Sequence, residues 1–215
     1  MQGVSIYGPS QSSYVRSARM TAEEKGVSYE LVTMGEGDEV RWGNEAHLAL
    51  HPFGKVPALR AGDLTLFETS AICRYLDEIG TGAPLQPADA AGRARMEQWI
   101  SAINCYLYPD AIKTYAFAYF FPKGEDGGPD RKVIDEVLPK LQTATAALDR
   151  ALGEQAFLAG DTVSLADLFL APVLAYLGAL PEGGELIAKA GNLARAKADL
   201  EARDSFKTTE PPSGD

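Results

Sequence analysis

The sequence runs to 215 residues, 46% of them hydrophobic, with a formal net charge of −10. That length holds one large domain or two small ones. The acidity argues against a nucleic-acid backbone as partner, and no apolar run approaches the ~20 residues of a membrane span. Met1–Tyr7 is too short and too uncharged for a secretory signal. The only cysteines, Cys73 and Cys105, form no CxxC, and the only histidines are His47 and His51. No metal site is expected from that set, and the cysteine usage fits a reducing cytoplasm. Both cysteines fall in helical stretches and read as buried apolar groups.

In chain order, Val4–Tyr7 alternates and stops at Gly8-Pro9, as a strand does. Ser12 to Lys25 reads as a helix, with serines at its start and Gly26 past its end. Val27–Val32 is a second strand, parallel to the first if the helix is a right-handed crossover. Met34–Leu50 is irregular. Residues 56–60 and 64–67 flank Ala61-Gly62-Asp63 as a hairpin. Thr69–Ile79 is helical, with Ile72, Tyr75, Leu76 and Ile79 on one face. Residues 80–91 look like an interdomain linker, and beyond them the pattern is helical throughout. Helices are expected over Gly92–Phe120 with a bend at Pro109, Asp130–Leu152, Ser164–Leu177 and Leu193–Ala202. A Gly-rich loop, Pro122–Pro129, separates the first two, and Thr208–Asp215 reads as a weakly ordered tail. The division is thus 1–80 mixed α/β, 81–91 linker and 92–215 all-helical.

Three motifs occur within this βαβ–ββα–helical order: His51-Pro52-Phe53-Gly54-Lys55-Val56-Pro57, Phe67-Glu68-Thr69-Ser70-Ala71-Ile72, and Phe157-Leu158-Ala159-Gly160-Asp161 running on to Ser164-Leu165-Ala166-Asp167. In this order and spacing they resemble the cytosolic glutathione transferase superfamily, over about residues 4–207, with the closing Glu201–Lys207 similar to bacterial members. The resemblance implies an N-terminal thioredoxin-like domain that binds glutathione and an all-helical domain that holds a small hydrophobic electrophile. It implies a homodimer, with glutathione as co-substrate and no other cofactor. The reaction implied is attack of the glutathione thiolate on the electrophile, or reduction of a peroxide. A glutathione-dependent isomerase or disulfide reductase, and a non-catalytic interaction module of the same fold, are the alternatives.

The resemblance also assigns residues. Val56, before a cis Pro57, would pair with the cysteinyl backbone of glutathione as an added strand does. Glu68 and Thr69, where a strand gives way to a helix, would take the ammonium and carboxylate of the γ-glutamyl end. Lys55, with His51, Arg41 and Trp42 behind it, would meet the glycine carboxylate. Ser12 is the expected donor to the thiol, with Ser13 and Tyr7 as alternates. No cysteine stands in that segment, which disfavours mixed-disulfide chemistry. Tyr108, Tyr115 and Tyr119, in the aromatic-rich stretch after the linker, are expected to line the second-substrate pocket. Ser164-x-x-Asp167 has the form of a helix capping box and is read as a folding signal.

Overall fold

The computed structural model describes residues 3–212. They fall into two compact units. The first runs up to Gln86 and takes in the residues from Ala202 onward; the second is Pro87–Glu201.

The first unit carries strands β1 (Val4–Tyr7), β2 (Tyr29–Val32), β3 (Ala58–Ala61) and β4 (Leu64–Phe67), with helices α1 (Ser13–Lys25), α2 (Glu45–Leu50) and α3 (Thr69–Ile79). The sheet order is β2-β1-β3-β4; β1 pairs parallel with β2 and antiparallel with β3, and β3 pairs antiparallel with β4. This is the thioredoxin-like arrangement the motif order implied. Neighbouring residues of a strand point to opposite faces. Tyr7 accordingly joins a cluster with Met34, Val40, Leu50 and Ala58, while Ile6 is buried in its turn. Lys25 and Asp77 form a buried ion pair at 3.0 Å, and the Lys25 ammonium also donates to the carbonyls of Gly82 and Ala83.

β2 starts two residues later than the sequence suggests, because Val27 belongs to the end of α1. Gly26 is left-handed (φ 64°) and the Val27 N–H donates to the Ala22 carbonyl, a helix-closing turn. The stretch read as irregular holds α2, six residues capped by Asn44, whose side chain accepts from His47 N–H at 2.9 Å.

The second unit is helical. α4 (Ala90–Ala102) passes through two wide π turns, Ile103–Leu107 and Pro109–Ala116, into α5 (Phe117–Phe120). Proline has no N–H to donate, and the helix answers at Pro109 with widened turns; the Thr114 hydroxyl donates to the Pro109 carbonyl at 3.0 Å. α6 (Arg131–Gly153), α7 (Leu165–Gly178), α8 (Pro181–Lys189) and α9 (Gly191–Glu201) follow; α8 was not expected. α7 is buried along most of its length. At its start the Asp167 carboxylate accepts from the N–H and hydroxyl of Ser164 and from the Leu158 N–H, at 2.7–2.9 Å. Cys73 is buried, and burial pushes its thiol up to about 12. Cys105, expected to be buried, is exposed.

The chain then returns to the first unit as α10 (Asp204–Thr208). Arg16 donates to the Phe206 carbonyl at 2.9 Å, and its guanidinium lies 3.8 Å from the Phe206 ring centroid. Arg19 donates to the Thr209 carbonyl, and Glu24 accepts from Arg203 and Ser205 at 2.6–2.7 Å. The segment assigned by sequence to the helical domain and a loose tail is thus fastened along α1. Thr209 is fully buried, and Ser213–Asp215 lie outside the described residues.

Candidate active site

Three backbone breaks come together in the first unit. The first is the turn from β1 into α1. Ser12 caps α1 through a long 3.4 Å bond from the Val15 N–H and stays partly exposed. The first turn of α1 contains no acidic residue, so its free N–H groups keep a positive end. Ser13 is the first helical residue and its hydroxyl is buried. Tyr7 is also buried, packed in the cluster behind β1. Of the three hydroxyls proposed for the thiol, Ser12 alone combines partial exposure with a helix N-terminus.

The second break is the segment before β3. The Val56–Pro57 peptide is cis, as the motif implied. Among the described residues, the N–H and C=O of Val56 form no hydrogen bond. Gly8 packs directly on this residue; a Cβ at Gly8 would lie 2.9 Å from Val56 Cβ and 2.5 Å from Val15 Cγ2, so a side chain there would separate the two loops. Lys55 is exposed and, among the described residues, forms no ion pair. Trp42 is exposed, with its ring 5.6 Å from that of His47.

His51 does not stand ready as a cation. It is buried, its Nδ1 accepts from the Phe53 N–H at 3.3 Å, and its ring contacts those of Phe53 and Phe67. Burial holds its pKa below the ordinary histidine value, against the opposing pull of the Glu68 carboxylate. His47, which the motif reading passed over, is fully buried; its Nδ1 accepts from the Gly43 N–H at 3.0 Å and its Nε2 lies 2.9 Å from the Lys55 carbonyl.

The third break is the junction of β4 and α3. Glu68 holds the N-cap position with φ 70° and ψ 117°, a conformation non-glycine residues rarely adopt. It makes no side-chain cap bond, and its carboxylate is exposed. Thr69 is the first residue of α3 and not its cap, and its side chain is largely buried.

In the helical unit, the tyrosines expected to line a pocket are otherwise engaged. Tyr115 is 0% exposed; its hydroxyl donates to Glu182 at 2.9 Å and accepts from the Gly183 N–H. Tyr119 donates to the same carboxylate at 2.6 Å and accepts from Arg131, which also pairs with Glu182 at 2.7 Å. Tyr115 is therefore a core residue, and the Tyr119 hydroxyl is committed. Tyr108 is partly exposed, under the Lys113 ammonium. The exposed aromatics of this stretch are Tyr106, Phe117, Phe120 and Phe121. Periodicity could not sort them, because the π turns shift the faces of the helix.

Glu182 links three segments, and the cluster has a pH signature. Burial alone would raise its pKa, but hydrogen bonds from Tyr119 and Arg131, its own N–H and Tyr115 bring it down from 4.5 to about 2. A folded value below the unfolded one means the ionised form stabilises the fold. That contribution is complete above pH 4.5 and disappears as the pH falls through 2. Urea unfolding across this range should show a steeper acid loss for the native protein than for Glu182→Gln; parallel pH profiles would contradict the assignment.

Comparison with known proteins agrees with this architecture. Residues 11–79 match the family described as glutathione S-transferase, N-terminal domain, and residues 131–195 its C-terminal domain. Glutathione S-transferase 4 of Zea mays is 38% identical over 173 residues, covering 77% of this chain and 73% of the maize protein. The crystal structure of poplar glutathione transferase F1 superposes with a TM-score of 0.85 at 28% identity, covering 97% of each chain. A Methylobacillus flagellatus glutathione S-transferase solved with glutathione bound gives 0.79 at 26% identity, covering 97% of this chain and 99% of that one. Among the described residues no helix is long and apolar enough to cross a membrane. The motifs, the two-unit fold and these relatives agree: the chain belongs to the cytosolic glutathione S-transferase superfamily.

Proposed function

We propose that this protein activates the thiol of glutathione for nucleophilic attack on a small hydrophobic electrophile, with Ser12 as the thiol's hydrogen-bond donor. The observation that carries the reading is the state of Ser12. Its hydroxyl sits at the positive end of α1, partly exposed and held by a single long cap bond, so its O–H can turn to a bound sulfur. A free thiol with a pKa of ~8.5 is mostly protonated at neutral pH. A hydroxyl and a helix N-terminus both favour the thiolate.

The tripeptide fits the rest of the site. Its cysteinyl N–H and C=O complement the unused Val56 groups beside Pro57. Its γ-glutamyl ammonium complements Glu68, and the γ-glutamyl carboxylate suits Thr69 and the N-terminus of α3. Its glycine carboxylate complements Lys55, with Trp42 and Arg41 also exposed on that side. Glutathione is the co-substrate and the site calls for no further cofactor. The electrophile would meet the aromatic side chains of the helical unit, and Tyr108 remains the candidate among the three tyrosines first considered.

Ser12→Ala should lower turnover at neutral pH by at least ~10-fold, with affinity for glutathione nearly unchanged and part of the rate regained at alkaline pH. The loss of one hydrogen bond to the charged sulfur corresponds to about one to two pKa units. Thiolate absorbance of the bound complex against pH measures this directly. A curve moved by Tyr7→Phe and untouched by Ser12→Ala would transfer the role to tyrosine.

We also infer a homodimer. Phe53 is 70% exposed and meets Phe67 edge to face at 6.2 Å, with Leu48 and Leu64 also exposed in the same unit. Apolar surface of this kind marks an interaction face. Sedimentation equilibrium should give twice the 23.0 kDa chain mass; a monomer mass would contradict the inference.

A further inference from the structure

We infer that His47 is a positioning residue for glutathione: it fixes the peptide unit between Lys55 and Val56 so that the Val56 N–H faces the ligand. The inference rests on the proposed pairing of the glutathione cysteinyl backbone with Val56.

The Gly43 N–H donates to His47 Nδ1 at 3.0 Å, so that nitrogen carries no proton. In the neutral ring the proton is then on Nε2, which lies 2.9 Å from the Lys55 carbonyl oxygen and donates to it. The ring is wholly buried, so solvent does not compete for either bond.

The Lys55 carbonyl and the Val56 N–H belong to one peptide unit. That unit is trans, since Val56–Pro57 is the only cis bond among the described residues. A trans peptide points its C=O and N–H in opposite directions. Holding the oxygen against His47 therefore turns the hydrogen away from the interior, and the Val56 N–H has no partner within the described residues. On the other side, Gly8 lies against Val56 and blocks retreat toward β1. The peptide is thus held by its carbonyl, with the Val56 side chain packed against Gly8, before any ligand arrives. Without the histidine it can rotate, and binding must then include the cost of ordering it.

The test uses the full chain and three substitutions. His47→Phe keeps an aromatic ring and removes both polar atoms. His47→Gln keeps an N–H donor with the reach to meet the Lys55 carbonyl, and His47→Asn has a shorter amide without that reach. Calorimetric titration with glutathione should show His47→Phe weakened by about 10-fold and His47→Gln by no more than about 3-fold. Turnover at saturating glutathione and the pKa of the bound thiol should match the wild type, because Ser12 and α1 are untouched; a purely structural role would not separate KM from kcat in this way. Unchanged affinity in a folded His47→Phe protein would overturn the inference, as would a loss shared by the thiol pKa. If His47→Phe does not fold, the Gln and Asn variants decide: Asn weaker than Gln supports the inference, and equal affinities overturn it. Failure of the wild type to bind glutathione would remove the proposed function instead, so the two failures are distinct.

Discussion

Replacing Glu68 with alanine is expected to weaken glutathione binding by about 2–4 kcal/mol, roughly 30- to 1000-fold in Kd. Glu68 carries the only carboxylate at the β4–α3 junction, and in the proposed complex it meets the γ-glutamyl ammonium. Alanine would leave that ammonium without its counter-charge. The backbone separates this effect from a loss of fold. With φ at 70°, the position is strained for any residue bearing a Cβ, so alanine inherits the strain that glutamate already has. Glycine would relax it. The Ala and Gly variants should therefore bind glutathione equally poorly, while Gly is the more stable of the two. Glutamine, which keeps an acceptor oxygen without the charge, should fall between Ala and the native residue. Calorimetric titration of the four proteins checks the series, and native-like affinity in Glu68→Ala would remove Glu68 from the site.

The largest loss of stability is expected from Asp167→Ala, about 3–5 kcal/mol. The Asp167 carboxylate is buried at the first turn of α7 and accepts three hydrogen bonds, two from backbone N–H groups and one from the Ser164 hydroxyl. Burial pushes its pKa up, and the three donors pull against that shift. Its removal strands the Leu158 and Ser164 N–H groups away from water, each at a cost of about 1–3 kcal/mol. It also frees the loop that carries Leu158 from the start of α7. Urea unfolding gives the difference; a loss below ~1 kcal/mol would show that water or a neighbouring group takes over the donors. Glutathione binding by the folded fraction should be unaffected, because Asp167 lies in the helical unit.

How legible the structure was in the sequence depends on the length of the signal. α3 stands at the bounds its apolar face marks, Thr69–Ile79, and β1 at Val4–Tyr7. α6 runs for 23 residues, enough for a 3.6-residue period to show, while α7, apolar nearly all round, is marked by its capping box and its length. α2 is six residues long and α10 five, too short for a period; the Asn44 cap defines the first and packing against α1 the second. Val27 has strand chemistry but serves the cap of α1. The site divides in the same way. Val56-Pro57 and Glu68-Thr69, which enter the proposed site, are singled out in the sequence because their residue types are themselves the signal. The conformation of Glu68 and the buried hydrogen bonds of His47 were not, since a positive backbone angle and bonds from a ring to main-chain groups leave no pattern in the residue types. Ser12 and Ser13 look alike in sequence; the single step from cap to first helical residue leaves the first partly exposed and buries the second. The tyrosines mislead for the opposite reason: Tyr115 and Tyr119 look like pocket residues until Glu182, more than sixty positions away, comes to meet them.

The return of the chain to α1 as α10 has a consequence for synthesis. A ribosome emits residues in order, and domains generally fold as units while they emerge. The thioredoxin-like unit departs from that habit: all of Pro87–Glu201 must be translated before the Phe206 and Thr209 carbonyls and the Arg203 guanidinium exist to clasp α1. The helical unit, continuous in sequence, can close first. The half of the protein that is made first is thus the half completed last, and its α1–α10 seam is where a nascent chain would await the remainder of its message.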